Sequence, residues 1–341
     1  MAKSTFVISI KGKRVKVPFI AVNGDTIVVT GKWIKMAAVH DEIWAEKEVE
    51  HPECCIEALI SAYNKIPRAD IFTFTQRPTV TIPRYSFSYD LESIAAIHLT
   101  SFKEWWEGLP QESRKNVRRS QKRGVVVKVK EFDDELINGI VDVNNDSPVR
   151  QGRSYSHYGK SFDQVKKDHS AFIERSDFIC AYHGSEIIGF LKIVYRGNVA
   201  SILQLAPKLS QSDMRPANAM LAKAIEQCEA RGVSCVTYGL FNYGNKKDTP
   251  LREFKVRNGF GEILIPRYYV PLTTWGAVCV RTKLYRGLIG ILPQFIIVFI
   301  VGVRAKMYNM RIRISRCSSM PERPNSDRQM ERSNPPAGSN S

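Results

Sequence analysis

The sequence predicts an α/β protein with a mixed sheet. Apolar runs without helical spacing, which are typical of buried strands, alternate with segments whose apolar residues recur at helical spacing. The clearest case is a strand–helix–strand unit over residues 198–238. The 341 residues, 43% of them hydrophobic, are enough to bury the core of one large or two ordinary domains. The composition therefore favours a globular α/β protein and leaves the number of domains open.

The first part of the chain, residues 1–110, combines short strands with one helix and carries no recognisable chemical motif. Its strands are rich in β-branched residues, and Asn23-Gly24-Asp25 is a strong hairpin signal. The predicted elements are, in order, strands at 6–10, 15–20 and 26–30, a helix at 52–65 and a strand at 71–75.

A helix-rich connector over residues 101–124 carries dense positive charge. From Arg114 to Lys130 there are eight Lys or Arg residues and no acid. Like charges at helical spacing destabilise an isolated helix by about 0.2–0.5 kcal/mol per pair, and an anionic partner offsets that cost. We therefore expect Arg114–Arg123 to contact an RNA, with tRNA as the candidate, through phosphate groups. The alternative is a solvated basic face.

An unusual polar loop, with its polar side chains at residues 150–160, follows a predicted helix at 131–144. Because polar loops on a rigid scaffold often bind ligands, we expect this loop to bind the acceptor of a reaction. His157 is expected to take a proton from an attacking amine near neutral pH, and the alternative is a loop histidine bonded to a backbone carbonyl. The expected acceptor-binding residues are Arg150, Gln151, Arg153, Tyr155, Tyr158 and Lys160.

The centre of the chain is the predicted strand–helix–strand unit, which follows a hairpin over 176–195. Asp213 is the expected cap of its helix, Pro216 lies in the first turn, and Gly232 follows the end. The first turn of this helix lies beside the ends of two strands, which makes a site for a phosphate or an oxyanion. The predicted elements are a strand at 198–206, a helix at 213–231, a strand at 233–238 and a loop at 239–248.

The segment after this loop, Leu251-Arg-Glu-Phe-Lys-Val-Arg-Asn-Gly-Phe260, resembles the end of a GNAT-fold acyltransferase core. The preceding Tyr238-Gly239 strand end is similar to the FemA/FemB/FemX-like branch, as is the Arg-Lys-Asn-Val-Arg-Arg segment that begins at Arg114. The resemblance covers residues 94–273. It implies a GNAT-type fold with two GNAT-like halves: a degenerate first half over 1–110 and an acyltransferase core over 111–273.

The resemblance also implies a function, the transfer of an acyl or aminoacyl group to an amine without a metal. The acceptor is expected to be a cell-envelope or polysaccharide precursor. The strands at 198–206 and 233–238 are expected to splay and admit the donor. The backbone amides of residues 214–217 are candidates to hold its phosphate or carbonyl. The expected catalytic residues are His157, Tyr238 and Lys255, and the expected donor-binding residues are Gln204, Arg215, Asn242 and Lys255.

The identity of the donor stays open between acyl-CoA and aminoacyl-tRNA. GNAT enzymes that use CoA usually carry a glycine-containing loop at the start of this helix, and the segment from Gln211 to Ala217 has no glycine. The loss weakens acetyl-CoA as donor, or it indicates a different CoA-binding geometry. The competing class is a non-catalytic, membrane-associated protein that binds RNA or another polyanion on a GNAT scaffold.

The last part of the chain differs in character. The net charge of +16 indicates anionic partners, and the apolar run at 288–303 has basic residues on both sides. We expect 281–316 to attach to an anionic membrane surface, with a helix docked on the core as the alternative, and 317–341 to be disordered. The seven cysteines show no metal spacing, and residues 1–6 show no secretory signal, which together predict a cytoplasmic protein. A peripheral position at the inner face of the membrane is compatible with this prediction.

Overall fold

The structure is a computed structural model of the chain. It describes residues 5–10, 13–43, 48–62, 68–150, 152–242 and 249–287. The described residues up to Tyr285 form one compact unit. Residue Gln151 and the predicted segments 288–303 and 317–341 lie outside the described residues.

The described residues form fourteen strands and eight α-helices. The strands are β1 (Thr5–Ile10), β2 (Lys13–Val22), β3 (Asp25–Thr30), β4 (Met36–Val39), β5 (Ile71–Thr75), β6 (Tyr89–His98), β7 (Val125–Lys130), β8 (Val149–Arg150), β9 (Arg153–Ser154), β10 (Ser176–His183), β11 (Glu186–Arg196), β12 (Val199–Pro207), β13 (Cys235–Leu240) and β14 (Gly261–Pro271). The helices are α1 (Pro52–Ser61), α2 (Phe102–Gly108), α3 (Gln111–Lys122), α4 (Asp134–Asn145), α5 (Phe162–His169), α6 (Pro216–Ala230), α7 (Pro250–Arg257) and α8 (Thr274–Arg281).

Twelve of the described strands form one mixed sheet in the order β1-β2-β3-β4-β5-β14-β6-β13-β12-β11-β10-β7. The order is symmetric about the β14–β6 pair. Each arm ends in antiparallel strands and has one parallel pair, β4 with β5 in the first arm and β12 with β13 in the second. The late strand β14 pairs with β5, and the early strand β6 pairs with β13. The predicted mixed α/β sheet is confirmed, and its two arms are the two halves of the fold.

Helices cover both faces of the second arm. On one face, α6 packs against β10–β13 with Met220, Leu221 and Ile225 fully buried. On the other face, α4 and α5 cover β10 and β11 through a separate cluster that includes Ile140 and Phe178. We call these two surfaces of the sheet the α6 face and the α4 face.

Helix α6 begins three residues later than predicted. Pro216 is its first residue, and Arg215 before it has a left-handed backbone with φ 56°. Asp213 does not cap the helix; it lies in a 3-10 turn, where its carboxylate pairs with Arg123 at 3.0 Å. The start shifts because proline needs no N–H partner in the first helical turn.

Two other predicted elements differ from the structure. The helix expected from residue 131 starts at Asp134, because the Asp133 side chain accepts a hydrogen bond from the Leu136 amide and caps it. The polar loop after it contains a small hairpin of β8 and β9, in which Arg150 pairs with Arg153. Within the described ranges, no helix is both long and apolar enough to cross a membrane.

Candidate functional site

The parallel strands β12 and β13 separate after three residue pairs. Pairing runs from Val199–Cys235 to Ser201–Thr237, whereas β12 continues to Pro207 and β13 to Leu240. An irregularity assists the separation, because the register against β11 shifts by one residue between Ile202 and Gln204 and so bends the strand. We call the opening between the two diverging strands the gap. The predicted splaying of these strands is therefore present.

A buried lysine lies at the β13 side of the gap. Lys255 on α7 has no exposed surface, and its Nζ donates a hydrogen bond to the Leu240 carbonyl at 2.7 Å. The same ammonium lies 4.6 Å from the centroid of the Tyr238 ring. Burial lowers the pKa of Lys255 to about 8. The structure thus brings together two of the predicted catalytic residues at the end of β13.

The Asn-Gly-Phe part of the motif has a structural role. The Asn258 side chain accepts a hydrogen bond from Asn218 of α6 at 2.9 Å, and its backbone carbonyl accepts one from the Trp105 indole at 3.2 Å. Gly259 has φ +85°, and a Cβ there would lie 2.9 Å from Trp105. Asn258 and Gly259 therefore fix the end of α7 against α6 and α2, which holds Lys255 in place.

A cavity of about 280 Å³ lies at the other side of the gap and receives residues from both arms. Ser201 and Thr237, whose hydroxyls are 2.7 Å apart, line it at the closed end of the gap. Their neighbours Ala200 and Val236 belong to the α6 cluster. Because side chains alternate along a strand, Ser201 and Thr237 point to the opposite face. The cavity thus opens on the α4 face.

Charged residues of the first arm and the central strands border this cavity. Arg267 of β14 bridges Glu42 and Glu92, with N–O distances of 3.0 Å to each carboxylate. Burial raises the pKa of Glu42, although Arg267 acts to lower it. Burial, followed by the charge of Arg77, lowers the pKa of Arg196, which donates to the Glu42 carbonyl at 3.2 Å. Sequence reasoning missed this cluster, because Glu42 and Arg267 are 225 positions apart and belong to no local motif.

The polar loop packs against the end of β12. Arg150 donates to the carbonyls of Val143 and Pro207 at 2.8 and 2.9 Å and lies 4.2 Å from the Tyr155 ring centroid. The Tyr155 hydroxyl accepts a hydrogen bond from Gln204 at 3.2 Å. Arg150, Tyr155 and Gln204 therefore form one contact group. Tyr158, in the same loop, is 47% exposed.

His157 is half-buried beside a cation. Its Nδ1 lies 3.3 Å from the Lys160 ammonium, which also pairs with Asp168 at 2.6 Å. Burial, together with the charge of Lys160, lowers the pKa of His157 to about 4. The imidazole is therefore neutral at pH 7, but its low pKa makes it a weak base for a protonated amine.

We expect His157→Gln to change turnover by less than tenfold, since a base with a pKa of about 4 contributes little near pH 7. The same change should make the protein more resistant to acid. Between pH 6.5 and about 4 the unfolded histidine binds a proton that the folded one does not, so the wild type loses stability as pH falls. The measurements are steady-state rates and urea unfolding at pH 7 and pH 5. A loss of turnover above 100-fold would instead assign catalysis to His157.

The loop that precedes α6 has few amides available for a phosphate. The Asp146 carboxylate accepts hydrogen bonds from the amides of Leu209 and Ser210 at 2.6 and 3.3 Å. Burial acts to raise the pKa of Asp146, but these bonds and the Ser210 hydroxyl lower it overall. Within the expected cradle at 214–217, residues 214–216 offer no free amide. The amides of Met214 and Arg215 are bonded within the 3-10 turn, and Pro216 has no N–H.

The remaining predicted donor-binding residues are Asn242 and Arg215. The Asn242 amide group donates to Glu262 at 2.8 Å and accepts from Arg252 at 3.2 Å, so it ties the end of β13 to β14 and α7. Arg215 is exposed at the start of α6. Of Arg153, the structure describes the backbone in β9.

The loop and Lys255 reach the gap from opposite faces of the sheet. Gln204 pairs with Lys192, whose ammonium lies 5.1 Å from Phe178 in the α4 cluster, so Gln204 and the loop belong to the α4 face. Tyr238 packs against the α6 cluster and places Lys255 on the other face. The loop and Lys255 therefore do not face each other directly across one cleft, although both were predicted to belong to the site. The acceptor-binding role of the loop stays a prediction.

The basic helix α3 packs beside the elements that carry Lys255. Its buried side is Ser113, Val117 and Ser120, and the Ser113 hydroxyl donates to the Arg257 carbonyl at the end of α7. The cations Lys115, Arg118 and Lys122 are exposed on its outer side. The positive surface thus adjoins the α6 face of the site.

Comparisons with known proteins give the fold. No protein-family model matches the sequence, and no curated protein sequence matches it. Among solved structures, the C-terminal domain of a putative lysylphosphatidylglycerol synthetase from Agrobacterium fabrum is similar at a TM-score of 0.51 and 13% identity, over 78% of this chain and 87% of that one. At such identity the similarity shows the fold alone.

Two further solved structures are similar over comparable lengths. FemX has a TM-score of 0.49 and 10% identity, over 77% of this chain and 88% of that one. L-PGS from Bacillus licheniformis has a TM-score of 0.48 and 14% identity, over 79% and 88% of the two chains. The predicted fold, a GNAT-type α/β fold with two halves, is confirmed by the match to the synthetase domain and by the sheet order.

Proposed function

We propose that this protein transfers an acyl or aminoacyl group to an amine, with the reacting carbonyl held in the gap between β12 and β13. The observation that carries the proposal is the opening itself. Pairing stops at Ser201–Thr237, a buried ammonium lies at one side of the opening, and a cavity lies at the other. The donor reaches the gap from the α6 face, and the acceptor amine enters from the cavity on the α4 face.

The geometry supports a division of roles. The amine nitrogen attacks the donor carbonyl, the N–C bond forms, the bond to the leaving group breaks, and the amine proton ends on that leaving group. Lys255 stabilises the oxyanion, since a fixed cation in a site shielded from water favours developing negative charge. The Tyr238 hydroxyl and water are candidates for moving the proton. The rest of the rate enhancement comes from positioning the two substrates.

The loop before α6 favours aminoacyl-tRNA over acyl-CoA as donor. A CoA pyrophosphate binds best to free amides at a helix start, and here Asp146 already occupies the amides of Leu209 and Ser210. Its carboxylate also repels a phosphate. The exposed cations of α3 suit a larger polyanion that contacts the surface through several phosphates.

The division of the chain follows the same proposal. Residues 111–273 supply both sides of the gap and act as the transferase core, and residues 1–110 supply the cavity wall that contains Glu42. The acceptor class, an amine-bearing cell-envelope or polysaccharide precursor, remains the proposal made from the sequence. Membrane attachment through 281–316 depends mainly on residues that the structure does not describe.

The experiment that tests the function is a direct comparison of donors. The purified full chain is incubated with a mixture of charged tRNAs or with a panel of acyl-CoA thioesters, each with amine-bearing envelope precursors as acceptors. We expect acceptor-dependent loss of the aminoacyl ester and no acceptor-dependent release of CoA thiol. Turnover of CoA thioesters alone would reverse the donor assignment. Binding of tRNA without turnover of any donor would favour the non-catalytic polyanion-binding alternative.

A further inference from the structure

Two tryptophans are exposed side by side on the surface of the folded unit, away from the gap. Trp33, in the loop between β3 and β4, is 90% exposed, and Trp275, in the first turn of α8, is 46% exposed. Val278 follows one turn later on α8 and is 48% exposed. Adjacent large apolar side chains on a surface mark an interaction site. We call this surface, Trp33 with Trp275 and Val278, the tryptophan platform.

The platform is built rigidly. The Trp275 indole donates a hydrogen bond to the Trp33 carbonyl at 3.2 Å, which joins the loop to α8. Asp70 fixes both parts from beneath: its carboxylate accepts from the Lys35 amide at 2.8 Å and from the Thr273 hydroxyl at 3.0 Å. The Trp275 indole and the backbone of Trp33 are therefore held in place before any partner binds, which lowers the entropic cost of association.

Close backbone contacts at two glycines support the same arrangement. Gly31 has φ +99°, and a Cβ there would collide with the Ile34 carbonyl, so the tight turn that displays Trp33 requires glycine. Gly276 lies against the Asp70 carbonyl with no room for a Cβ. The loop and α8 can approach each other only with these glycines.

The chain segments that carry the platform are basic. The segments 31–36 and 272–285 contain Lys32, Lys35, Arg281 and Lys283 and no Asp or Glu. The ammonium of Lys32 and the guanidinium of Arg281 belong to exposed residues. Tryptophan and flanking cations together are the composition of surfaces that lie at the headgroup level of a bilayer.

We propose that the tryptophan platform docks this protein on the surface of an anionic lipid bilayer. The indoles insert at the headgroup level, and the cations of the two segments lie over the lipid phosphates. Each cation near such a surface strengthens binding by about fivefold. The proposal concerns the folded unit itself. It is independent of the proposed transfer reaction and of the apolar run at 288–303.

The test uses the tryptophans as their own reporters. The full chain is titrated with vesicles of equal parts phosphatidylglycerol and phosphatidylcholine, with and without brominated acyl chains, which quench nearby indoles. Residues 288–341 contain no tryptophan, so quenching reports on the folded unit. We expect binding, quenching of part of the fluorescence, and loss of that quenched part in the double variant Trp33→Phe, Trp275→Phe.

Affinity gives a second readout. The double variant Trp33→Ser, Trp275→Ser should bind vesicles about tenfold more weakly or worse, because two apolar anchors are lost. The control is Ile82→Ser, since Ile82 is 77% exposed and lies outside the platform; it should bind as the wild type does. Vesicle binding without quenching, equal affinity of the Ser variant and the wild type, or no binding to anionic vesicles would each overturn the proposal.

Discussion

Replacing Lys255 by Met is expected to lower turnover by about 100-fold or more, the usual cost of removing a donor that stabilises an oxyanion. The ammonium lies at the end of β13, bonded to the Leu240 carbonyl, and no other side chain of the described residues is proposed for this role. The measurement is the steady-state rate of acyl transfer with the donor identified by the comparison above. Thermal unfolding of the variant in parallel separates loss of catalysis from loss of fold.

Lys192 provides a matched control for Lys255. It is also fully buried, and burial lowers its pKa to about 8 as well. Its ammonium, however, donates to the carbonyls of His169 and Ala171 at the end of α5, at 2.8 and 2.6 Å. Lys192→Met should therefore reduce stability by about 1–3 kcal/mol and leave the turnover of the folded fraction nearly unchanged. Equal turnover of the two Met variants would remove Lys255 from the mechanism.

The pH dependence gives a further check on Lys255. Since the ammonium is the active form, the rate should fall as pH rises through about 8, the pKa of the buried group. Stability changes in the opposite direction. Between about 8 and the ordinary lysine value of 10.5 the unfolded state binds more protons, so the free energy of unfolding rises with pH. Lys255→Arg, which stays charged in this range, should remove the alkaline fall in rate from whatever activity remains.

Replacing Arg267 by Met is expected to destabilise the protein by about 2–4 kcal/mol, because two carboxylates at the cavity would lose the cation that pairs them. This expected loss of stability is smaller than that for breaking a fully buried ion pair, since the Arg267 side chain is 18% exposed and that of Glu92 is 26% exposed. Urea unfolding at pH 7 measures the effect. Arg257→Met provides the comparison, as the Arg257 side chain is 63% exposed and its partner Glu253 is 59% exposed, so that loss should cost much less.

The cause of that loss of stability can be tested with acid and with two further substitutions. In Arg267→Met the unpaired carboxylates hold protons more tightly in the folded state, so its deficit relative to the wild type should shrink as pH falls toward 5. Adding Glu42→Gln and Glu92→Gln should recover part of the stability. A deficit that neither acid nor the double replacement reduces would mean that packing of the arginine stem, and not its charge, is responsible.

The alternation of strands and helices could be predicted from local patterns in the chain, and the splaying of the strand pair was implied by the family resemblance. The apolar residues of α6 recur at helical spacing, which indicates one buried face, and the apolar runs of β12 and β13 indicate strands buried on both faces. Both patterns can be recognised along the chain without knowledge of the elements that pack against them. The resemblance around Lys255 also placed that residue at the end of β13. The start of α6 was predicted three residues too early, because Asp213 fits the local pattern of a helix cap, whereas in the structure its carboxylate pairs with Arg123.

Which residues meet at the site depends on tertiary contacts that the sequence does not reveal. The one-residue register shift between Ile202 and Gln204 sets the side of the sheet to which Gln204 and the polar loop belong, and it has no marker in the sequence. The use of the Leu209 and Ser210 amides by Asp146, and the bridge from Arg267 to Glu42, join positions 63, 64 and 225 residues apart. Asp146 reaches its partners because α4 packs on β11 and β12, and Arg267 reaches Glu42 because β14 pairs with β5 of the first arm. No local propensity records which charged residues these tertiary contacts will bring together.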